Sequence, residues 1–209
     1  MFSDKEIVAK LDAYFGRLSA VLGRLSREDI VRVIRLLTDA YENGKQVVVM
    51  GNGGSATTAS HMVTDFNKGV SYGRKKRFRM IALTDSIASI MAISNDISYD
   101  DVFVEQLKTY MNPGDYVIGI SGSGNSKNVI NAIDYANEHG GITIGWSGYS
   151  GGLLKQSARH NIHVDIEDMQ ITEDVHLILN HAMMQILCES LGDEDPSADD
   201  RRGEASLQR

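Results

Sequence analysis

Residues 51–66, GNGGSATTASHMVTDF, join the two patterns that decide the fold. The preceding residues 46–50, QVVVM, are apolar and β-branched, which is typical of a buried strand in a parallel sheet. The residues that follow have helical spacing without proline, so a helix over residues 55–67 is predicted. The glycine-rich turn between them leaves backbone N–H groups free at the positive end of the helix dipole. An anion, most often a phosphate, binds at such a turn.

The same predicted helix carries a candidate catalytic pair. His61 and Asp65 are four residues apart and therefore lie on one face of a helix. They follow the anion-binding turn by about two helical turns. A packed histidine and a solvated carboxylate are the alternative interpretation of these two residues.

Strands alternate with helices along the rest of the chain, which predicts a doubly wound parallel α/β sheet with right-handed crossovers. Residues 1–44 form a predicted helical pair that contacts a partner subunit, 45–191 form the α/β domain, and 192–209 form a disordered acidic tail. The five predicted strands cover residues 46–50, 79–83, 116–120, 142–146 and 161–166. The predicted helices cover 3–25, 26–42, 55–67, 84–94, 100–110, 126–138, 152–158 and 172–191.

A second polar loop, residues 121–126 (SGSGNS), also lies between a predicted strand and a helix. Its hydroxyls and free N–H groups suit a terminal phosphate, although Ser126 could equally be an ordinary helix cap. Ligands of doubly wound sheets bind at the carboxyl ends of strands, where both loops belong. The spacing of Gly51, Gly53 and Ala56 also matches a dinucleotide fingerprint. Because the expected acidic residue is missing at the end of the second strand, we expect no nucleotide cofactor.

Composition narrows the function further. The chain has 209 residues and a net charge of −7, so binding to nucleic acid or to an acidic membrane is not expected. The basic run 74–77 is either a phosphate-binding patch or a solvated loop. A single cysteine, Cys188, and the lack of an apolar signal or membrane-spanning run predict a cytoplasmic protein.

GNGGS followed by His61, together with SGSGNS before a helix, resembles the sugar isomerase (SIS) domain. Within it the chain is most similar to the phosphoheptose isomerases, which interconvert sedoheptulose 7-phosphate and a heptose 7-phosphate. The resemblance extends to Leu191. It implies a single flavodoxin-like five-stranded parallel sheet, a sugar phosphate substrate, and a homotetramer with active sites at subunit interfaces.

The resemblance also implies roles for individual residues. Asp65 and His181 match the positions of the acid/base pair. Positions that meet the phosphate or the sugar match Asn52, Gly53, Ser55, Asp96, Ser121, Ser123, Ser126 and Glu173. In members that bind zinc, the ligands match His61, Asp65, Glu173 and His181.

Three residues depart from the family pattern: Asp65 stands where a glutamate is usual, Glu173 where a glutamine is usual, and Gly122 where a hydroxyl residue is usual. They indicate a different sugar geometry or a greater dependence on a divalent cation such as Zn²⁺. Glu173 and His181 are eight residues apart, about 12 Å along a helix, which argues against one metal binding both. His176 is predicted to be structural or to lie at an interface.

Three functions therefore compete. The leading hypothesis is a ketose–aldose isomerase acting on a seven-carbon sugar phosphate by an enediol mechanism. The second is a non-catalytic SIS-fold factor that binds another protein, such as a replication initiator; such relatives lack the ionisable pair that Asp65 and His181 supply. The third is a sugar-phosphate sensor or an isomerase of a hexose phosphate.

Overall fold

The computed structural model describes residues 1–192, so the predicted tail lies, apart from Gly192, outside the described residues. Five parallel strands form one sheet in the order β2-β1-β3-β4-β5, the flavodoxin-like order. The strands are β1 (Gln46–Gly51), β2 (Arg79–Ala82), β3 (Tyr116–Ser121), β4 (Ile142–Ser147) and β5 (His160–His163). The predicted α/β class and doubly wound architecture are confirmed.

Eight α-helices surround the sheet in the described residues: α1 (Asp4–Arg24), α2 (Arg27–Glu42), α3 (Gly54–Thr64), α4 (Ile87–Asp96), α5 (Val104–Tyr110), α6 (Lys127–Glu138), α7 (Gly152–Ser157) and α8 (Met169–Ser190). A π-helix, Asp65–Val70, continues directly from α3, and a 3₁₀ turn, Tyr99–Asp101, precedes α5. None of these helices has the length and apolarity needed to cross a membrane.

Alternating side chains of β1 feed two hydrophobic cores, one on each face of the sheet. Val47 and Val49 join the core beneath α2, α3 and α8, whereas Val48 and Met50 join the core beneath α5, α6 and α7. A central strand buried on both faces explains why its sequence is continuously apolar. Because β1 is packed on both faces, the carboxyl edge of the sheet is held in place, and the two polar loops begin at that edge.

The two leading helices differ in how they pack. Ser3 and Ser26 cap them, Ser3 by accepting a hydrogen bond from the Glu6 N–H and Ser26 from the Asp29 N–H. Helix α2 buries four side chains in the main core: Val33, Leu37, Ala40 and Tyr41. Helix α1 has a single buried residue, Val21, and leaves Phe15 59% exposed. Only α1 is therefore peripheral to the α/β body.

Several predicted boundaries were wrong. A helix break was predicted at residues 95–96, but α4 runs through Asp96, because a polar pair is tolerated in the last turn of a helix. The predicted helix 100–110 is two pieces, since Ser98 caps a separate 3₁₀ turn by accepting the Asp100 N–H. Strand β5 ends at His163 because the chain turns there, with the Ile166 N–H bonded to the Val164 carbonyl.

Candidate active site

Helices α3 and α8 run side by side in the same direction and carry most of the candidate site. At their amino ends, the Glu173 carboxylate lies against Gly54. Towards their carboxyl ends, His61 on α3 faces His181 on α8. The pair of helices therefore presents two separate groups of polar residues, one beside the glycine-rich turn and one about two turns further on.

The two predicted polar loops do converge. They form a pocket of about 270 Å³ at the carboxyl ends of β1 and β3, which are neighbours in the sheet. We call it the loop pocket; it is lined by Asn52, Gly53, Gly54, Ser55, Ile120, Ser121, Gly122, Ser123, Ser126, Met169 and Glu173. Every predicted sugar- or phosphate-contacting residue except Asp96 lies here.

The serine hydroxyls of the loop pocket are not used up as helix caps. Ser126 precedes α6, yet its side chain makes no capping bond and instead pairs with the Ser121 hydroxyl at 3.0 Å. Ser123 Oγ accepts the Asn125 N–H at 3.2 Å, and its own proton has no acceptor among residues 1–192, so it can donate to a ligand. These donors, with the backbone N–H groups at the start of α3, can bind a phosphate without a cation.

Asn52 is held by two residues that sequence reasoning missed. Its Oδ1 accepts hydrogen bonds from the Asn128 amide (3.0 Å) and the Tyr99 hydroxyl (2.9 Å), while its Nδ2 donates to Asn128 Oδ1 (2.9 Å). Both lone pairs of Oδ1 are therefore occupied, and one N–H remains. Asn52 can therefore only donate its remaining N–H to a ligand, whose contacting atom must be a hydrogen-bond acceptor.

Two glycines of the loop pocket give space to side chains of α8. A Cβ at Gly54 would lie 2.2 Å from Glu173 Oε2, and a Cβ at Gly122 would lie 2.4 Å from Met169 Sδ. The glycine at position 122 thus accommodates Met169. Burial and the neighbouring Asp174 raise the pKa of Glu173 above its ordinary value, so an anionic group is costly at this position.

The second group of residues, the histidine–carboxylate cluster, consists of His61, Asp65 and His181. The two Nε2 atoms are 2.9 Å apart, and Asp65 Oδ2 lies 3.3 Å from His61 Nε2 and 3.8 Å from His181 Nε2. The Asp65 side chain is 15% exposed, against 46% and 45% for the imidazoles. The cluster therefore opens to solvent on its histidine side and is anchored on its carboxylate side.

The donor set and geometry of this cluster suit a zinc ion. Its three ligand atoms lie within 4.8 Å of one another. From the three separations, the point equidistant from the atoms is about 2.0 Å from each, which is the usual Zn–N and Zn–O distance. Two imidazoles and a carboxylate leave a fourth position for water or substrate, as in catalytic zinc sites.

Glu173 and Asp96 are predicted site residues that lie away from that cluster, and His176, predicted to be structural or at an interface, does not join it either. Glu173, a predicted metal ligand, lies at the loop pocket, two helical turns from His181 on the same helix, so one chain brings together three of the four predicted ligands. Asp96 is exposed at the end of α4, where it accepts a bond from Asn95. His176 is fully buried against Trp146, with ring centroids 5.6 Å apart, and burial lowers its pKa to about 4.

Three comparisons with known proteins agree on the family. Residues 13–148 match the SIS domain model. A probable phosphoheptose isomerase of Thermoplasma acidophilum is 40% identical over 165 residues, 79% of this chain and 90% of that protein. The phosphoheptose isomerase of Geotalea daltonii is 37% identical over 191 residues, covering 90% of this chain and 94% of that protein.

Solved structures give the same answer. The phosphoheptose isomerase GmhA from Neisseria gonorrhoeae superposes with a TM-score of 0.81 at 28% identity, covering 88% of this chain and 98% of that one. The chain therefore belongs to the SIS domain family and, within it, to the phosphoheptose isomerases.

Proposed function

We propose that this protein is an aldose–ketose isomerase that interconverts sedoheptulose 7-phosphate and a D-glycero-heptose 7-phosphate through an enediol. The observation that carries the proposal is the meeting of Asp65 and His181, 116 residues apart in sequence, in a chain of the phosphoheptose isomerase family. The test is direct conversion of sedoheptulose 7-phosphate, followed by NMR with zinc supplied. No turnover by the intact protein would refute it.

The loop pocket binds the phosphate end of the substrate. Ser55, Ser121, Ser123 and Ser126 supply hydroxyls, and the start of α3 supplies backbone N–H groups. The remaining N–H of Asn52 donates to an oxygen of the sugar. Since the pocket holds no lysine or arginine among its lining residues, affinity depends on the number of these donors rather than on ion pairing.

The chemical step moves one proton between neighbouring carbons and one between their oxygens. Asp65 Oδ1 is placed to take the proton from carbon 1 of the ketose and to return it to carbon 2. His181 Nε2 gives a proton to the carbonyl oxygen and recovers one from the hydroxyl of carbon 1, so no proton is lost overall. A positive or hydrogen-bonding partner must hold the developing oxyanion between these transfers.

Zinc is the cofactor that we propose for the histidine–carboxylate cluster, and its chemistry there is polarisation of the carbonyl oxygen. Nε2 of His181 cannot carry a proton and bind a cation at the same time. In the metal-free cluster His181 therefore moves the oxygen proton. If His61, Asp65 and His181 held zinc, His181 would be a ligand, Asp65 Oδ1 would still carry the carbon proton, and a solvent water would carry the proton between the two oxygens. His181 is required in both cases.

We further propose a homotetramer whose active sites combine residues of two subunits. Ten residues of helix separate Ser55 from Asp65, about 15 Å. With C–C bonds of about 1.5 Å, an extended heptose phosphate is only roughly 10 Å long. One chain's loop pocket and its own cluster are therefore too far apart for a single substrate, and a neighbouring subunit must supply one of them. Glu173 of that neighbour would also be free to join the metal ligands.

The exposed apolar faces support this assembly. Helix α1 exposes Val8 and Phe15, and α4, which has no buried residue, exposes Ile87 and Met91. Exposed apolar side chains grouped on one helix are typical of a protein–protein contact surface. A cytoplasmic location belongs to the same proposal and is supported by the presence of a single cysteine, Cys188, which has no second cysteine in the sequence with which to form a disulfide. Because Asp65 and His181 are both present and adjacent, nothing favours the non-catalytic binding role over the isomerase.

A further inference from the structure

Asn180 lies directly beneath the histidine–carboxylate cluster. It is fully buried on α8, next to His181 in sequence, and its Nδ2 donates to Asp65 Oδ2 at 2.7 Å. The same Oδ2 is the oxygen that faces both imidazoles. Among residues 1–192, no hydrogen bond reaches Asp65 Oδ1. Oδ2 of Asp65 is thus fixed by a hydrogen bond, and Oδ1 remains available to accept a proton from a substrate.

We propose that Asn180 is a positioning residue that fixes the orientation of the Asp65 carboxylate, and that residues 65 and 180 function as a matched pair. An uncharged amide orients the carboxylate and leaves its negative charge in place. A lysine or arginine at the same position would neutralise that charge. The full negative charge stays available for a cation at Oδ2 and for a proton at Oδ1. The catalytic part of this inference rests on the proposed function; the structural part does not.

The position of Asp65 explains why it needs a fixed partner. Asp65 is the first residue of the π-helix Asp65–Val70, where the backbone leaves the regular geometry of α3. Its side chain has two rotatable bonds, and the imidazoles that face it are each nearly half exposed. The amide of Asn180, by contrast, is fully buried.

The two side chains also match in length. A glutamate at position 65 would carry its carboxylate about 1.5 Å further, the length of one C–C bond. That displacement would push it into an amide nitrogen that already lies at hydrogen-bond distance from Asp65. An aspartate at position 65 therefore requires a side chain at position 180 that is long enough to contact its carboxylate. A glutamate at position 65 would instead require a small residue at position 180, because its carboxylate would occupy the place of the amide.

The first experiment replaces the amide by an apolar group of similar size, Asn180→Leu. We expect the dissociation constant of the purified protein for Zn²⁺, measured by competition with a chromophoric chelator, to weaken by about 10- to 100-fold. We expect kcat to fall by a similar factor while KM stays within threefold. The matched control is Leu187→Ala, which loosens the same helix at a buried site two turns away.

The alternative hypothesis is that the Asn180–Asp65 hydrogen bond only stabilises the packing of α8 on α3, and it predicts a different result. In that case Asn180→Leu and Leu187→Ala, compared at equal loss of thermal stability, would change zinc affinity and kcat equally, and the proposal would be overturned. If the intact protein does not turn over sedoheptulose 7-phosphate, the proposed function fails, yet the zinc dissociation constants still decide the role of Asn180.

The second experiment remains decisive if Asn180→Leu does not fold. Asp65→Glu alone should weaken zinc binding and turnover, whereas adding Asn180→Ala to it should restore zinc affinity at least tenfold relative to Asp65→Glu. If the double variant is no better than Asp65→Glu, the two positions are not a matched pair.

Discussion

The loop pocket and the histidine–carboxylate cluster are built in different ways. The pocket consists of backbone N–H groups and short side chains at the ends of two hydrogen-bonded strands, β1 and β3. The cluster consists of long side chains from two helices that meet only when α8 packs on α3. The sheet places the first almost unaided, whereas the second depends on tertiary packing. The pocket therefore suits binding, and the cluster supplies the ionisable groups that the reaction needs.

The largest effect that separates the two regions should come from His181→Ala. Removing the imidazole takes away either the proton carrier of the metal-free cluster or a zinc ligand, so we expect kcat to fall about 10³-fold. KM should stay within threefold because the loop pocket is untouched. Steady-state kinetics measure both. His139→Ala, at an exposed histidine after α6, is the control; a rise in KM without a fall in kcat would place His181 in binding instead.

A slightly smaller effect should come from mixing two inactive proteins. His181→Ala destroys the cluster, and Ser123→Asp places a repelling charge in the loop pocket. If each active site joins regions of two subunits, random mixed assemblies should regain about a quarter of wild-type activity, since a symmetric oligomer then contains some sites with both regions intact.

The measurement is activity after the differently tagged variants are unfolded and refolded together. The control is each variant refolded alone, which should stay below about 1% of wild type: His181→Ala because it lacks a required acid/base group, and Ser123→Asp because its carboxylate repels the substrate phosphate. Activity in the mixture no higher than in the controls would place both regions of a site in one chain.

More of the loop pocket than of the histidine–carboxylate cluster could be predicted from the sequence. The strand–turn–helix patterns at β1 and β3 are local, so both loops and the sheet could be predicted from residues within about 20 positions of each other. The Asn180–Asp65 bond joins residues 115 positions apart, and the Asn52–Asn128 pair spans 76. Such contacts depend on how helices dock, which periodicity does not specify. One signal was present: Asn180 is a polar residue within the apolar run LILN of α8.

Acid should weaken the helix that links the two regions. His176 lies on α8 between Glu173 and His181, and burial lowers its pKa to about 4. Against an unfolded pKa of about 6.5, the stability from its neutral form is present above pH 6.5 and is lost as the pH falls towards 4. At pH 5 the loss from this group is about 2 kcal/mol.

Urea unfolding at pH 7.5 and pH 5 checks this prediction. Wild type should lose about 2 kcal/mol more between the two pH values than His176→Leu does. Burial also lowers the pKa values of His160 and His163, but both proteins share those groups, so they cancel in the comparison. Equal losses in the two proteins would show that His176 is not the acid-sensitive group.

The smallest expected effect concerns the loop pocket itself. Ser123→Ala removes one donor whose proton has no partner among residues 1–192, and a hydrogen bond to a charged phosphate contributes about 1.5 to 3 kcal/mol. Because other hydroxyls and backbone N–H groups remain, we expect KM to rise about tenfold, the lower end of that range, with kcat within threefold. Ser157→Ala, at the end of α7 and away from both loops, is the matched control. A fall in kcat with unchanged KM would mean that the second loop takes part in the chemical step, and the division of labour between pocket and cluster would no longer hold.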